Sequence, residues 1–412
     1  MSGKKQTSFF SLPVLSLLFT VFIDSLGFGL VFPLLSPLLM ENGGIFASDL
    51  SFSTRGLIFG SLASIYCLGQ FFGSPFLGRL SDCRGRKKVL IGTLWLACFA
   101  YLLGSLAIVY KSIVLLFVSR LLCGISAGNY PVAQSMIVDM VPPENRVRGF
   151  GLINMAWGTG FILGPFLGGR FSVFGFSTPF LFAALVCLIT ALLALWKLKE
   201  TFASKEMLKF NMWEGITNIK KGFKNPFLKG LFYSLFIYSI GWGFFTEYSS
   251  LFLLKRLSFD VESIANFYAY AGLWIALSQG VLIRPFAKRF SPQILLRGAF
   301  VLLALSFPLM LYCKNFYHIM WVLPLISFSE SIVGPASSVL VSSLASKENQ
   351  GEMLGISQSI KSAGVGLAPL FSGSLVALHL HLPITIPAIC TVLSLILFLK
   401  FFKSPNPVPL QE

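Results

Sequence analysis

Long apolar runs alternate with short polar connections from one end of this chain to the other. In lipid a helix satisfies its own backbone hydrogen bonds, and about 20 consecutive apolar residues carry it across the hydrocarbon core. Runs of that length fall at Leu12–Met40, Ser53–Leu80, Val89–Tyr110, Ile113–Val141, Gly149–Phe171 and Pro179–Leu198. A second set falls at Phe227–Leu253, Ser263–Arg284, Gln293–Cys313, Tyr317–Ala345, Met353–Leu378 and Pro383–Phe402. The pattern predicts an all-α membrane protein with twelve transmembrane helices. Its longest polar connection, Glu200 to Pro226, divides them six and six. The expected organisation is a bundle over 1–199, a central loop over 200–226 and a second bundle over 227–412. Within that loop Trp213 to Ile216 reads as a short interfacial helix.

Composition agrees with lipid as the solvent. Hydrophobic residues make up 55% of the chain and charged ones 12%, whereas a soluble domain carries about a quarter charged residues. The net charge of +16 suggests a nucleic-acid partner until the basic residues are located. Lys4 and Lys5 precede the first run; Arg79, Arg84, Arg86, Lys87 and Lys88 share one loop; Lys197 to Lys229 crowd the centre. The intervening connections hold only Arg55, Lys111, Arg170, Lys255, Arg256 and Lys314. This asymmetry is the positive-inside pattern, which places both termini in the cytoplasm of an inner (plasma) membrane protein. It implies contact with membrane lipid and no nucleic acid. Lys4 and Lys5 before an apolar run resemble a secretory signal, but the run continues to Met40 without a small-residue cleavage site, so an uncleaved first span is expected.

The two halves repeat. PENRVRGFGLINMAWGTGFILGPFLGG, from Pro143, aligns without a gap to KENQGEMLGISQSIKSAGVGLAPLFSG, from Lys347. Asn145, Gly151, Gly160, Leu163, Pro165 and Gly169 match Asn349, Gly355, Gly364, Leu367, Pro369 and Gly373, and the same register pairs Pro131 with Pro335. Parallel six-span repeats of this kind place a substrate site between two pseudo-symmetric six-helix bundles, near mid-membrane.

Between the second and third runs lies GRLSDCRGRKKVL, from Gly78. Gly78 and Gly85 let helix ends approach and turn tightly. Asp82, a carboxylate among cations, can bind a helix N-terminus or exchange ionic partners as halves rock. This loop resembles the signature of the major facilitator superfamily. That resemblance implies a latch in which Asp82, Arg86 and Asp139 stabilise the outward-open state. The counterpart loop from Gly280, GVLIRPFAKRF, lacks the Asp.

Three further stretches are similar to the superfamily's drug–proton antiporter branch. Arg120, inside the fourth run, occupies the place of an Arg that takes part in proton transfer in relatives; a static salt bridge is the other reading. A charge at that depth costs roughly 2.5–3.5 kcal/mol or more, so a partner or a wet cavity is expected. GTGFILGPFLGG, from Gly158, resembles the motif marking antiporters, with Gly160, Gly164 and Gly168 permitting close helix contact and Pro165 bending the axis. FIDSLGFGLVFP puts Asp24 halfway through the first run, with an Asp-to-Pro spacing similar to that of tetracycline efflux pumps. A carboxyl taken out of water holds its proton more tightly, so proton and substrate can compete for it; a structural hydrogen bond beside a kink is the alternative. The resemblance fails in the second half. Those pumps carry a His in span 8 and an acid in span 9, and Ser263 to Cys313 holds neither. Glu247, Glu330 and Lys361 are the charged candidates there, and whether Glu330 and Lys361 pair or act separately is left open by the sequence. Gln70, Asn129, Tyr130, Gln134, Asn154, Tyr238, Gln279 and Gln358, with Asn266, are polar candidates for a cavity, each equally suited to a helix-to-helix hydrogen bond.

The expected function is secondary active transport: a monomeric proton-coupled antiporter exporting a small organic compound, with the proton as coupling ion and no other cofactor. The rivals are a proton-coupled importer or symporter of the same fold and a non-transporting membrane receptor or enzyme. No HExxH motif or phosphate-binding loop occurs. The three histidines, His318, His379 and His381, lie near external ends, and the seven cysteines lack metal-ligand spacing. No metal site, enzyme activity or disulfide is therefore expected.

Overall fold

A computed structural model describes residues 12–31, 38, 52–142, 145–201, 223, 227–257, 259, 261–346, 349–370 and 381–402. Most of the central loop, with Trp213, lies outside them. The first six crossings are α1 (Leu12–Val31), α2 (Phe52–Arg84), α3 (Arg86–Val109), α4 (Ile113–Ala127) with α5 (Tyr130–Met140), α6 (Arg146–Ser172) and α7 (Thr178–Lys197). The second six are α8 (Lys229–Leu257), α9 (Val261–Leu277) with α10 (Ile283–Arg289), α11 (Pro292–Tyr312), α12 (Phe316–Leu344), α13 (Gln350–Leu370) and α14 (Leu382–Phe401). Among the described residues no strand occurs, and eight helices are long and apolar enough to cross a membrane. Phe99, Val114, Phe166, Leu305 and Trp321 are exposed on the outside of the bundle, an apolar belt suited to acyl chains.

Helix starts follow local chemistry. Ser112, Ser291 and Asn315 accept hydrogen bonds from the N–H groups of Leu115, Ile294 and His318, capping α4, α11 and α12. Pro131, Pro179, Pro292 and Pro383 open their helices, where a missing N–H costs nothing.

Two crossings expected to be continuous are interrupted. The fourth breaks at Gly128 and Asn129. Pro131 cannot donate to the carbonyl four residues back, and that carbonyl, Ala127 O, instead accepts from Gln70 Nε2 of α2 at 3.3 Å. A Cβ on Gly128 would lie 2.6 Å from the Gly73 carbonyl carbon, so the break is also where two backbones meet. The eighth crossing contains a π-helical turn over Ser278–Leu282, a wide turn often found at functional positions.

In the first bundle α1 packs on α6 and α7, α2 on α4, and α3 on α4 and α7; in the second, α8 packs on α14 and α13, and α11 on α12 and α14. The bundles meet where α2 and α5 lie on α13 and where α6 lies on α9 and α12. The α1–α6 seam uses the glycines singled out above: a Cβ on Gly164 would be 2.5 Å from the Cα and carbonyl carbon of Gly29, and Gly160 and Gly168 press on the carbonyls of Phe22 and Leu30. Ser25 Oγ donates to Trp157 O across the same seam at 2.5 Å. Gly164→Val is therefore expected to force the helices apart, an overpacking cost of about 1–3 kcal/mol, seen as a lower unfolding temperature in detergent. Gly92→Ala, with open space around its Cβ position, is the control and should leave that temperature unchanged.

Candidate functional site

The interrupted fourth crossing sets Asn129 against the first helix. Asp24, half-buried and midway along α1, accepts a hydrogen bond from the Asn129 side chain. Arg120, two turns before the break, is 1% exposed. Its Nη2 donates to Cys123 Sγ at 3.6 Å, and its guanidinium lies over the rings of Phe180 and Tyr101, 5.3 and 5.7 Å from their centres. Aromatic faces stabilise a desolvated cation. Ion pairs among the described residues include Arg79–Glu352, Arg86–Asp82 and Arg86–Asp139, and Arg120 and Asp24 form no direct ion pair with each other. Tyr66 of α2 lies within electrostatic reach of both.

The polar candidates divide into three sets. Gln70, Gln134, Asn154 and Tyr130 hold helices together. Gln70 Oε1 accepts from Ser362 of α13 at 2.5 Å, and Gln134 Nε2 donates to Ser338 Oγ of α12 at 2.9 Å, both across the bundle interface. Tyr130 donates to Asn154 Oδ1, and Asn154 faces Gly334 of α12. The register that pairs Pro131 with Pro335 also pairs Gln134 with Ser338, so their bond joins symmetry-related positions and lies on the pseudo-twofold axis. The second set, Tyr238 and Gln279, is buried with Oη and Oε1 making no hydrogen bond. Gln358 is half-buried on α13 and Asn266 is exposed on α9. The side chains of Glu247 and Pro165 lie outside the described residues.

In the second bundle Glu330 of α12 and Lys361 of α13 are both half-buried and do not form an ion pair with each other.

At one end of the molecule the signature loop joins the bundles. Asp82, buried, accepts from the N–H groups of Gly351 at 3.2 Å and Glu352 at 3.0 Å, so it caps the first turn of α13 in the opposite bundle. Four N–H groups at a helix start lack partners within the helix, and a carboxylate complements the dipole there. Arg86, fully buried, bridges Asp139 at 2.8 Å and Asp82 at 3.6 Å. Gly78 packs on the Gly351 backbone. Gly85 turns with φ +95°, a conformation that favours glycine.

Four participants were not picked out from the sequence. Arg79 pairs with Glu352 at 3.3 Å and donates to Asn349 at 2.9 Å, adding a second link between bundles. Glu200, just after α7, accepts from the N–H of Arg86 at 2.9 Å and of Lys87 at 3.2 Å, capping α3. Glu352 did carry a signal, an acid in the first turn of a helix. Nothing in the spacing pointed to Glu200.

Comparison with known proteins decides the family. The family described as Major Facilitator Superfamily matches over residues 17–359 and 280–412. The chain belongs to the major facilitator superfamily.

Membership makes this protein a membrane-spanning transporter rather than an enzyme. Relatives within the superfamily include Multidrug resistance protein 2 of Bacillus subtilis (strain 168), 25% identical over 394 residues that cover 95% of each chain. The class H tetracycline resistance protein of Pasteurella multocida is 29% identical over 371 residues, 87% of each chain. Among solved structures, the human organic anion transporter MFSD10 (TETRAN) superposes with a TM-score of 0.79 at 23% identity, covering 94% of this chain and 99% of that one. The superfamily fold thus extends over nearly the whole chain.

Proposed function

We propose that this transporter is a proton-coupled antiporter that exports small organic compounds, with Asp24 as the group that carries the proton. The observation that carries the reading is the setting of Asp24: a carboxylate inside a membrane bundle, held by one amide, with an unpaired guanidinium in the same bundle. Both charges are expensive in lipid and neither neutralises the other by direct contact. A proton taken up by Asp24 removes its charge, weakens its hold on a bound compound and changes its hydrogen bond to Asn129. Loss of that proton restores the site. Arg120 tunes the exchange through the local field. Relatives named for multidrug, tetracycline and quinolone resistance support export as the direction.

On this reading the end bearing Asp82, where the basic residues gather, faces the cytoplasm, and both termini lie there. Its closure by Asp82, Arg79 and Gln134 corresponds to a cytoplasmic gate shut beneath the site. Reopening it exchanges the same contacts as the bundles rock. In inside-out membrane vesicles the protein should accumulate an exported dye when respiration acidifies the lumen, and a protonophore should release that dye. Accumulation only in right-side-out vesicles would overturn the export reading.

A further inference from the structure

The latch has a mate in which its charges are reversed. Aligning Gly280 with Gly78 sets Arg284 in the place of Asp82. The register that pairs Asn145 with Asn349 sets Arg148 in the place of Glu352. Both acids that the latch brings to its bundle seam are thus arginines in the mate. Over residues 144–148 and 280–290 the chain carries five basic residues and one acid.

Backbone contacts bring the two arginines to one place. A Cβ on Gly151 of α6 would lie 3.3 Å from the Gln279 carbonyl oxygen and 3.9 Å from Ile283 Cγ2. One on Gly280 would lie 2.9 Å from Met155 Sδ, also of α6. Arg148 is one turn before Gly151 and Arg284 one turn after Gly280, on the faces that make these contacts. The fifth and eighth crossings run in opposite directions, so Arg148 of the first bundle comes level with Arg284 of the second. Arg148 lies within electrostatic reach of Arg284. Both are half-buried, and among the described residues Arg284 Nε is buried without a hydrogen-bond partner.

Like charges across an interface repel, and an anion shared between two guanidinium groups turns that repulsion into a link. In the latch the anion is the protein's own. Here it has to come from outside. Beside Arg284 the apolar side chains of Val281, Leu282, Phe286 and Phe290 are exposed, a surface suited to acyl chains rather than to water. Basic groups between membrane helices with such a surface next to them fit a phosphate carried by a lipid. We infer that Arg148 and Arg284 bind the phosphate of an anionic phospholipid whose acyl chains lie on Val281, Leu282, Phe286 and Phe290. That phosphate ties the bundles together at the second seam, as Asp82 ties them at the first. The site depends neither on which solute is moved nor on the ion that drives it.

The purified full-length protein in detergent would be titrated with dioleoyl phosphatidylglycerol or dioleoyl phosphatidylcholine, which share acyl chains and differ in net charge. Half of the maximal rise in unfolding temperature should need at least about tenfold less of the anionic lipid. Inorganic phosphate should neither stabilise the protein nor suppress the lipid's effect. Arg148→Gln and Arg284→Gln should each erase the preference, whereas Lys400→Gln, at an exposed residue in the last turn of α14, should keep it. Arg284→Asp restores the latch's acid, so in phosphatidylcholine alone it should unfold as high as the parent protein does with phosphatidylglycerol. It should gain nothing more from the anionic lipid. Equal action of the two lipids on the parent protein, or a preference that survives both Gln substitutions, would overturn the lipid site. Stabilisation by inorganic phosphate alone would overturn it too, by pointing to a soluble anion. A check without variants uses phosphatidylglycerol with a photoreactive acyl chain. The labelled peptide should fall within residues 281–290, and labelling confined to other segments would contradict the assignment.

Discussion

Asp24→Asn is expected to abolish transport driven by a pH gradient while leaving substrate binding and gradient-free exchange measurable. Asparagine has nearly the shape of aspartic acid and can keep a hydrogen bond to Asn129, the side chain positioned by the break between α4 and α5. It cannot take up or release a proton. The fold should therefore persist, because the α1–α6 seam rests on Ser25 and on glycine contacts rather than on Asp24. The site then remains as if permanently protonated, and the bundles can rock with substrate but without a coupled ion. Initial rates of uphill uptake should fall at least tenfold, to the level of protein-free vesicles, whereas downhill counterflow of labelled substrate against unlabelled substrate should continue. Unimpaired uphill transport by this variant would remove Asp24 from the mechanism.

The second large effect is expected at the latch. Asp82→Asn removes a charge-assisted cap from the first turn of α13 and one carboxylate from the buried Arg86, which keeps its pair with Asp139. Breaking one side of a buried charged network costs on the order of 3–5 kcal/mol, and here the loss falls only on the conformation in which the bundles touch at this end. The equilibrium constant for the closed state should fall by a factor of roughly 100 to several thousand, at about 1.4 kcal/mol per tenfold. Spin labels at Lys88 and Ser346, exposed residues of the two bundles at the latch end, should report a longer distance in Asp82→Asn than in the parent protein, with transport reduced in parallel. An unchanged distance distribution would mean that Asp82 serves only the folding of its own loop.

The helical architecture was legible because lipid leaves few ways to satisfy a backbone, so length and polarity alone pointed to membrane-spanning helices. The interruptions were less so. The fourth crossing was read as continuous, and the fault before Pro131 takes its place from Gly73 and Gln70, which lie far away in sequence. The π turn at Ser278–Leu282 left no mark in the apolar pattern. The latch residues were named together by the resemblance to the superfamily's signature loop, since on its own the carboxylate of Asp82 among cations allows more than one role. Its partner in the opposite bundle needed coordinates, because backbone N–H groups have no sequence signature. Glu200 was invisible for a related reason: an acid after a helix end is ordinary until its two N–H partners are known. Among the polar candidates, Gln70 and Gln134 proved to join the bundles, a use that sequence cannot separate from lining a cavity.

Proton movement opposed to solute movement is the central claim, and it can be read directly. The purified protein would be reconstituted into liposomes containing a pH-sensitive dye, and a compound that stabilises it against heat would be added outside without any imposed gradient. Entry of the compound should drive protons out and make the lumen more alkaline, and this signal should be absent in Asp24→Asn. Acidification of the lumen during solute entry, or entry with no pH change in the parent protein, would contradict proton antiport.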